Sequence, residues 1–282
     1  MTTTPRYAIY YAPSPDSALH RFGSALLGYD AVSGDDLPFP DGVTPDWREV
    51  TEDPRKYGFH ATLKAPTALA DGSNEAALLD ACAAFAGRAR RIPVIEPVVD
   101  AISGFIAVIP ASRSDDLQQL AADCVTAFDP FRAPLTAEDR ARRKPERLTA
   151  RQCDYLDRWG YPYVMEEFRF HMTLTGRLSD ERRGPIVARL RERFAAVDLS
   201  TLAIDRIALF RSQPGLKLLP DHRFNIEEYN TYSCPWHHNI TAAIASFRVA
   251  KALARNPSSR DHITGFAWNN SLRFRWTSNQ LL

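Results

Sequence analysis

A four-residue unit that occurs twice constrains this chain more than any other feature. His60-Ala61-Thr62-Leu63, inside RKYGFHATLKAP at Arg55 to Pro66, returns as His171-Met172-Thr173-Leu174 inside EEFRFHMTLTGR, and a phenylalanine precedes each copy, Phe59 and Phe170. Alternation of polar and apolar residues marks a half-buried strand, in which side chains i and i+2 share a face. His60, Thr62 and Lys64 are therefore expected on one face of the first strand, with Phe59, Ala61 and Leu63 behind. In the second strand Arg169, His171, Thr173 and Thr175 share a face, backed by Phe170, Met172 and Leu174. A lone strand histidine is usually a half-buried structural residue. Two in matched settings, each with a hydroxyl two positions on, point to a shared use.

The rest of the chain supplies strands and helices around these two. RYAIYYA, Arg6 to Ala12, reads as a first strand closed by Pro13 and Pro15, and Ser17 to Leu27 as an amphipathic helix ending at Gly28. From Asp30 to Pro54 repeated Gly and Pro predict a long surface connection. Asn74 to Arg88 is a helix with Asn74 as its cap. Pro93 to Val99 and Gly104 to Pro110 are apolar strands, and Asp115 to Phe128 is a second core helix. A charged insert at about 130–163 follows, with a helix from Thr149 to Trp159 that turns Tyr155, Leu156 and Trp159 inward. After the second tetrad come a helix at Asp180 to Val197, a strand at Leu202 to Phe210 and a last strand over Leu216 to Phe224. Each tetrad strand is thus followed by a helix and then apolar strands. The expectation is a duplicated, two-lobed α+β fold over residues 1–232, two antiparallel sheets facing a central groove with helices outside.

Composition bounds the partners. Apolar residues make up 45% of the 282 and the net charge is +1, so no global field draws the chain to nucleic acid or anionic lipid. No stretch approaches the apolar length of a membrane span and no signal segment opens the chain, which reads as cytoplasmic with no membrane partner. Cys82, Cys124, Cys153 and Cys234 form no C-x-x-C pair and read as reduced thiols. Residues 233–282 break the pattern, with six basic residues against the single acid Asp261. This tail leaves the body with 29 basic and 33 acidic residues. Ile240 to Ala254 has the pattern of a basic amphipathic helix. Cys234 beside His237-His238 lacks the further ligand pairs that make zinc spacing diagnostic. Nothing sets an oligomeric state or a role for the tail.

The tetrads resemble those of the two-histidine (2H) phosphoesterase superfamily. The longer strings KYGFHATLKAP and RWGYPYVMEEFRFHMTLTGRL resemble its branch associated with bacterial phosphonate metabolism, over about residues 5–225. The resemblance implies that His60 and His171 are an acid-base pair and that Thr62 and Thr173 anchor phosphate; with no carboxylate cluster beside either tetrad, neither metal nor cofactor is expected.

The chemistry of the residues agrees. Opening a cyclic phosphodiester needs a base for the attacking water and an acid for the departing alkoxide, and imidazoles with an ordinary pKa of about 6.5 supply both. Threonine hydroxyls can donate to the phosphoryl oxygens as charge develops. Lys64 and Arg169, on the same faces, would add positive charge. Tyr10 and Tyr57 are candidates to stack on or bond a substrate. Arg142, Arg143, Lys144, Arg147 and Arg151 form a basic run, of which Arg147 and Arg151 are taken as substrate-binding, against the plain reading of a solvated face interleaved with Glu138, Asp139 and Glu146. The leading expectation is a metal-independent phosphodiesterase opening a small cyclic phosphate, for which the branch suggests a phosphoribosyl cyclic phosphate. The alternatives are an RNA 2′,3′-cyclic phosphodiesterase or ligase-like enzyme, disfavoured by the acidic body, and a module that only binds a phosphometabolite.

Overall fold

Both tetrads lie at paired strands in the computed structural model, which describes residues 4–212 and 219–226, all within the unit Met1–Tyr229. The elements run β1 (Arg6–Tyr11), α1 (Ala18–Leu27), α2 (Trp47–Val50), α3 (Glu52–Arg55), β2 (Ala61–Thr67), α4 (Glu75–Ala86), β3 (Val94–Ile95), β4 (Pro97–Ile102) and β5 (Phe105–Pro110). They continue with α5 (Asp115–Ala127), α6 (Ala137–Arg142), α7 (Ala150–Trp159), β6 (Met172–Thr173), α8 (Asp180–Ala195), β7 (Leu202–Ala203), β8 (Arg206–Ser212) and β9 (Leu219–Asn225). Local chemistry sets most helix ends. Ser17, Asn74, Ser114 and Thr136 each accept a backbone N–H from the first turn of their helix, and Thr149 with Gln152 closes a capping box on α7. Gly28 and Gly160 end α1 and α7 at φ 64° and 74°, where a side chain would be strained.

The fold is α+β, with a seven-stranded antiparallel sheet in the order β4-β5-β6-β2-β1-β8-β9. That order records a duplication. One repeat is β1, α1, β2, α4, β3 and β4, and the other is β5, α5, β6, α8, β7 and β8. Exchanging the two leaves the strand order unchanged apart from β9, which is added outside β8. Equivalent elements meet on the local twofold axis at two places. Ala61 of β2 pairs with Met172 of β6, the same position in each tetrad, and β3 pairs with β7 through Val94 with Ala203 and Ile95 with Leu202. Helices exchange too: α4 packs on β8 and β9, α8 on β4 and β5.

Several expectations need adjustment. The two expected sheets are joined, because the pair Ala61 with Met172 links the halves into one ladder. The connection after α1 is not all irregular: α2 and α3 form in it because Trp47 and Val50 are buried, with Trp47 Nε1 donating to Leu26 O at 2.8 Å. The second tetrad strand is far shorter than Glu167 to Thr175, since the N–H groups of Leu174 and Thr175 both turn to Ile106 O. Of the inward set on α7 only Leu156 is buried. The basic helix at Ile240 to Ala254, the Cys234 and His237-His238 group and the rest of the tail lie outside the described residues.

The main core takes one side of the sheet. Phe59, Ala61, Leu63, Phe170, Met172 and Leu174 bury there with Leu117, Leu120 and Cys124 of α5 and Leu190 of α8. A smaller cluster on the other side gathers Ala8, Tyr10, Ala12, Tyr29, Ala31, Ala208 and Phe210. At the β4 edge, Arg191 of α8 donates from Nε to Val99 O at 2.9 Å and pairs with Asp100 at 2.9 Å.

Gly23 of α1 faces the Phe59 ring so closely that a Cβ would lie 2.2 Å from it. Alanine would gain about 1 kcal/mol of helix propensity but force a buried ring next to His60 to move. Gly23→Ala is expected to destabilise by about 1–3 kcal/mol net in urea unfolding; equal or higher stability would show that the contact is relieved at no cost.

Candidate functional site

Around the Ala61 and Met172 pair the alternation holds in both strands. Phe59, Ala61, Leu63, Phe170, Met172 and Leu174 are buried, while His60, Thr62, His171 and Thr173 are half-exposed on the opposite face. Antiparallel pairing of equivalent residues turns His60 toward Thr173 and Thr62 toward His171, so both imidazoles and both hydroxyls share one patch. The two rings are close enough for a charge on His171 to oppose protonation of His60.

Each imidazole is held in the same way. His60 Nδ1 donates to Gly58 O at 2.9 Å, and His171 Nδ1 donates to Arg169 O at 2.7 Å. A carbonyl only accepts, so Nδ1 carries the hydrogen in both neutral rings and Nε2 keeps the lone pair for chemistry. Gly58 reaches this geometry at φ 75° against Ala31, whose Cβ would lie 2.4 Å from an added Cβ. Only glycine fits.

The surroundings of the two rings differ. Tyr10, which pairs with Thr62 across β1 and β2, stacks on His60 with centroids 3.9 Å apart and planes 16° apart, and Phe210 lies 4.8 Å behind Tyr10. His171 has Phe105 at 5.5 Å. Burial lowers the pKa of His60 to about 4, with the Gly58 carbonyl opposing and His171 assisting. Burial also lowers that of His171, opposed by the Arg169 carbonyl. Both shifts favour the neutral ring, that of His60 the more strongly.

The other expected residues separate. Tyr10 is 2% exposed, its faces covered by His60 and Phe210, so it supports His60 and offers no surface for stacking on a substrate. Tyr57 is exposed and acts electrostatically on the buried Tyr10. Lys64 leaves the histidine face. The ladder shifts register so that Tyr10 pairs with Thr62 but Ile9 with Lys64, and this bulge at Leu63 turns Lys64 to the core side. There Lys64 Nζ donates to Val125 O at 3.0 Å and pairs with Asp129 at 3.2 Å. Thr175 is also turned away, buried, accepting from Ile106 N and donating to Gly176 O. Arg169 is exposed and has no ion pair among the described residues.

A cavity of about 1300 Å³ adjoins Tyr57. Much of its wall comes from the same place in each repeat, between the helix and the tetrad strand: Arg48, Arg55 and Tyr57 from one insertion, Arg132, Arg143 and Gly160 from the other, with Arg6, Thr67 and Ser212 of the sheet completing it. Arg147 and Arg151, expected over the groove, do not line it; Arg151 acts instead on Tyr155 and Glu166. Arg142 and Arg143 of the same run do line it, and sequence reasoning passed over Tyr161, whose ring carries the Arg143 guanidinium at 4.9 Å. Its only sequence signal is the position directly after the helix-ending Gly160.

The family described as protein of unknown function (DUF1045) matches residues 62–217. The chain is 39% identical over 218 residues to ribose 1,5-bisphosphate phosphokinase PhnN of Janthinobacterium sp. (strain Marseille), covering 74% of this chain and 48% of that protein. It is 36% identical over 176 residues to the protein of the same name from Laribacter hongkongensis (strain HLHK9), covering 62% and 41%. The chain thus spans less than half the length of these curated relatives. Among solved structures, E. coli LigT complexed with NADP+ and a protein described as a phosphoesterase each align at a TM-score of 0.37 and 13% identity, over 80% of this chain and all of theirs.

Both histidines bind protons less tightly in the folded chain than in the unfolded one, so their contribution to stability is present above pH 6.5 and is lost as pH falls toward 4. Urea unfolding at pH 7 and pH 4.5 is expected to show His60→Gln losing about 1–3 kcal/mol less than the wild type across that interval. An identical loss in both proteins would remove the burial of His60 as the cause.

Proposed function

This chain belongs to the DUF1045 family, and we propose that it acts as a two-histidine phosphoesterase that opens a small cyclic phosphodiester by acid-base catalysis. The observation that carries the reading is the matched pair of imidazoles, each with Nδ1–H fixed on a backbone carbonyl, Nε2 left over, and a threonine hydroxyl beside it on one face.

His60 has the more strongly lowered pKa, so in the singly protonated site the proton resides on His171. Neutral His60 Nε2 then takes a proton from water as its oxygen attacks phosphorus. One ring P–O bond breaks, and His171 Nε2–H delivers its proton to the departing sugar oxygen. Thr62 and Thr173 donate to the non-bridging oxygens, where charge accumulates. The products are a phosphate monoester and a free hydroxyl, and the two rings end with their protonation exchanged.

The relatives' name supports a choice of substrate. A ribose 1,2-cyclic phosphate carrying a 5-phosphate, opened at the bond to O2, yields ribose 1,5-bisphosphate, the compound in the name of the PhnN relatives. It also fits the resemblance of the tetrad strings to the phosphonate-associated branch. The kinase activity in that name is said of proteins about twice as long as the matched region.

The test is turnover of a panel of cyclic phosphates, including ribose 1,2-cyclic phosphate 5-phosphate and an RNA 2′,3′-cyclic end, with a chelator present. His60→Ala and His171→Ala are each expected to lower kcat by about 10²- to 10⁴-fold while substrate binding is largely kept. The wild-type kcat/KM profile should be bell-shaped, its acid limb near pH 4 as His60 is protonated and its alkaline limb below 6.5 as His171 loses its proton. A wild type inactive on the whole panel would leave a binding module, and a steep salt dependence with preference for the RNA end would point to RNA.

A further inference from the structure

Seven basic side chains line the cavity between the two insertions, against the four carboxylates of Glu49, Glu52, Glu138 and Asp139. Arg6 and Arg142 share Asp139, Arg132 pairs with Asp129, and Lys56 pairs with Asp53. Arg48, Arg55 and Arg143 line the same space and have no carboxylate at ion-pair distance among the described residues. Arg55 is the most telling. It is 8% exposed, its Nε has no hydrogen-bond partner, and its other contacts are Thr51 Oγ1, Arg48 O and the Phe39 ring. Asp36 and Glu52 act on it only from a distance, while Arg48 adds a like charge. A buried guanidinium beside another cation is costly unless an anion completes the set.

This space comes near the histidine patch at Tyr57, which lines it and directly precedes Gly58, whose carbonyl holds His60 Nδ1. Tyr161, the ring under Arg143, directly follows Gly160 of the cavity wall, and Tyr57 and Tyr161 both act electrostatically on Tyr10. Tyr10 in turn stacks on His60. Arginine forks suit phosphate, because paired N–H groups meet two oxygens at once.

We propose that Arg48, Arg55 and Arg143 form a second anion subsite that holds a phosphate monoester on the substrate, remote from the phosphorus handled by His60 and His171. The inference deepens the cyclic phosphodiesterase reading and assigns its substrate class: a small sugar carrying one cyclic and one terminal phosphate. The terminal group completes the charge of the cavity and fixes the sugar so that the cyclic phosphorus meets the two Nε2 atoms. Both insertions contribute, so the subsite exists only where the two repeats meet.

Two experiments test it, using the full chain with Arg48→Ala and Arg143→Ala, singly and combined, since both residues are exposed and their loss leaves the core intact. Calorimetric titration with ribose 5-phosphate, which has no cyclic ester, reads the subsite apart from catalysis: saturable binding to the wild type, weakened at least tenfold in the double variant, is expected. No saturable binding, or equal binding by the double variant, overturns the subsite whatever the enzyme hydrolyses. On ribose 1,2-cyclic phosphate with and without a 5-phosphate, the wild type should favour the phosphorylated form at least tenfold in kcat/KM. The arginine variants should raise KM for that form more than for the other. Equal losses on both substrates overturn the proposal, whereas ribose 5-phosphate binding by a protein inactive on either would keep the subsite and sink the hydrolase.

Discussion

Ala61 and Met172 occupy the same place in the two tetrads, and their backbone pairing puts the symmetry axis of the duplication between two strands. Much follows from that contact. It joins the two halves of the sheet, makes the strand order palindromic up to β9, and sends both histidines and both threonines to one face. A slip of one residue would carry the polar set of one strand into the core and the apolar set outward. The apolar partners Phe59, Leu63, Phe170 and Leu174 guard against it, since each would lose its burial.

Symmetry supplies matched groups, and departures from symmetry make them unlike. Each imidazole meets a carbonyl two residues back, so the ring orientations agree. Only His60 has a tyrosine lying flat against it, and its basicity falls further. Two identical rings would have no preferred owner for a shared proton. Unequal burial gives one, and with it a direction for the reaction proposed above.

How much of this could be read from the chain depended on whether the deciding interaction was local. The alternation within each tetrad, the helix cap at Asn74 and the stops at Gly28 and Gly160 rest on neighbours a few residues away, and they were legible. Lys64 was not, because one bulged residue reverses its face and the carbonyl that receives it lies at the far end of α5. Arg143 was indistinguishable from Arg147 and Arg151 by charge pattern; what separates it is the Tyr161 ring on the far side of α7. The repeat was legible only in part, since the insertions at 29–60 and 129–171 conceal that strand, helix and tetrad strand recur in the same order.

The duplication also leaves its two outer strands in unlike situations. On one side β9 covers β8, and on the other β4 has no strand beyond it among the described residues. An uncovered strand is an invitation for another molecule to continue the ladder. Here the repeat's own helix answers: Arg191 occupies the Val99 carbonyl and sets a guanidinium along the rim. A second copy approaching edge-on would meet an occupied acceptor and a fixed cation, so the same residue that anchors α8 also discourages end-to-end polymerisation.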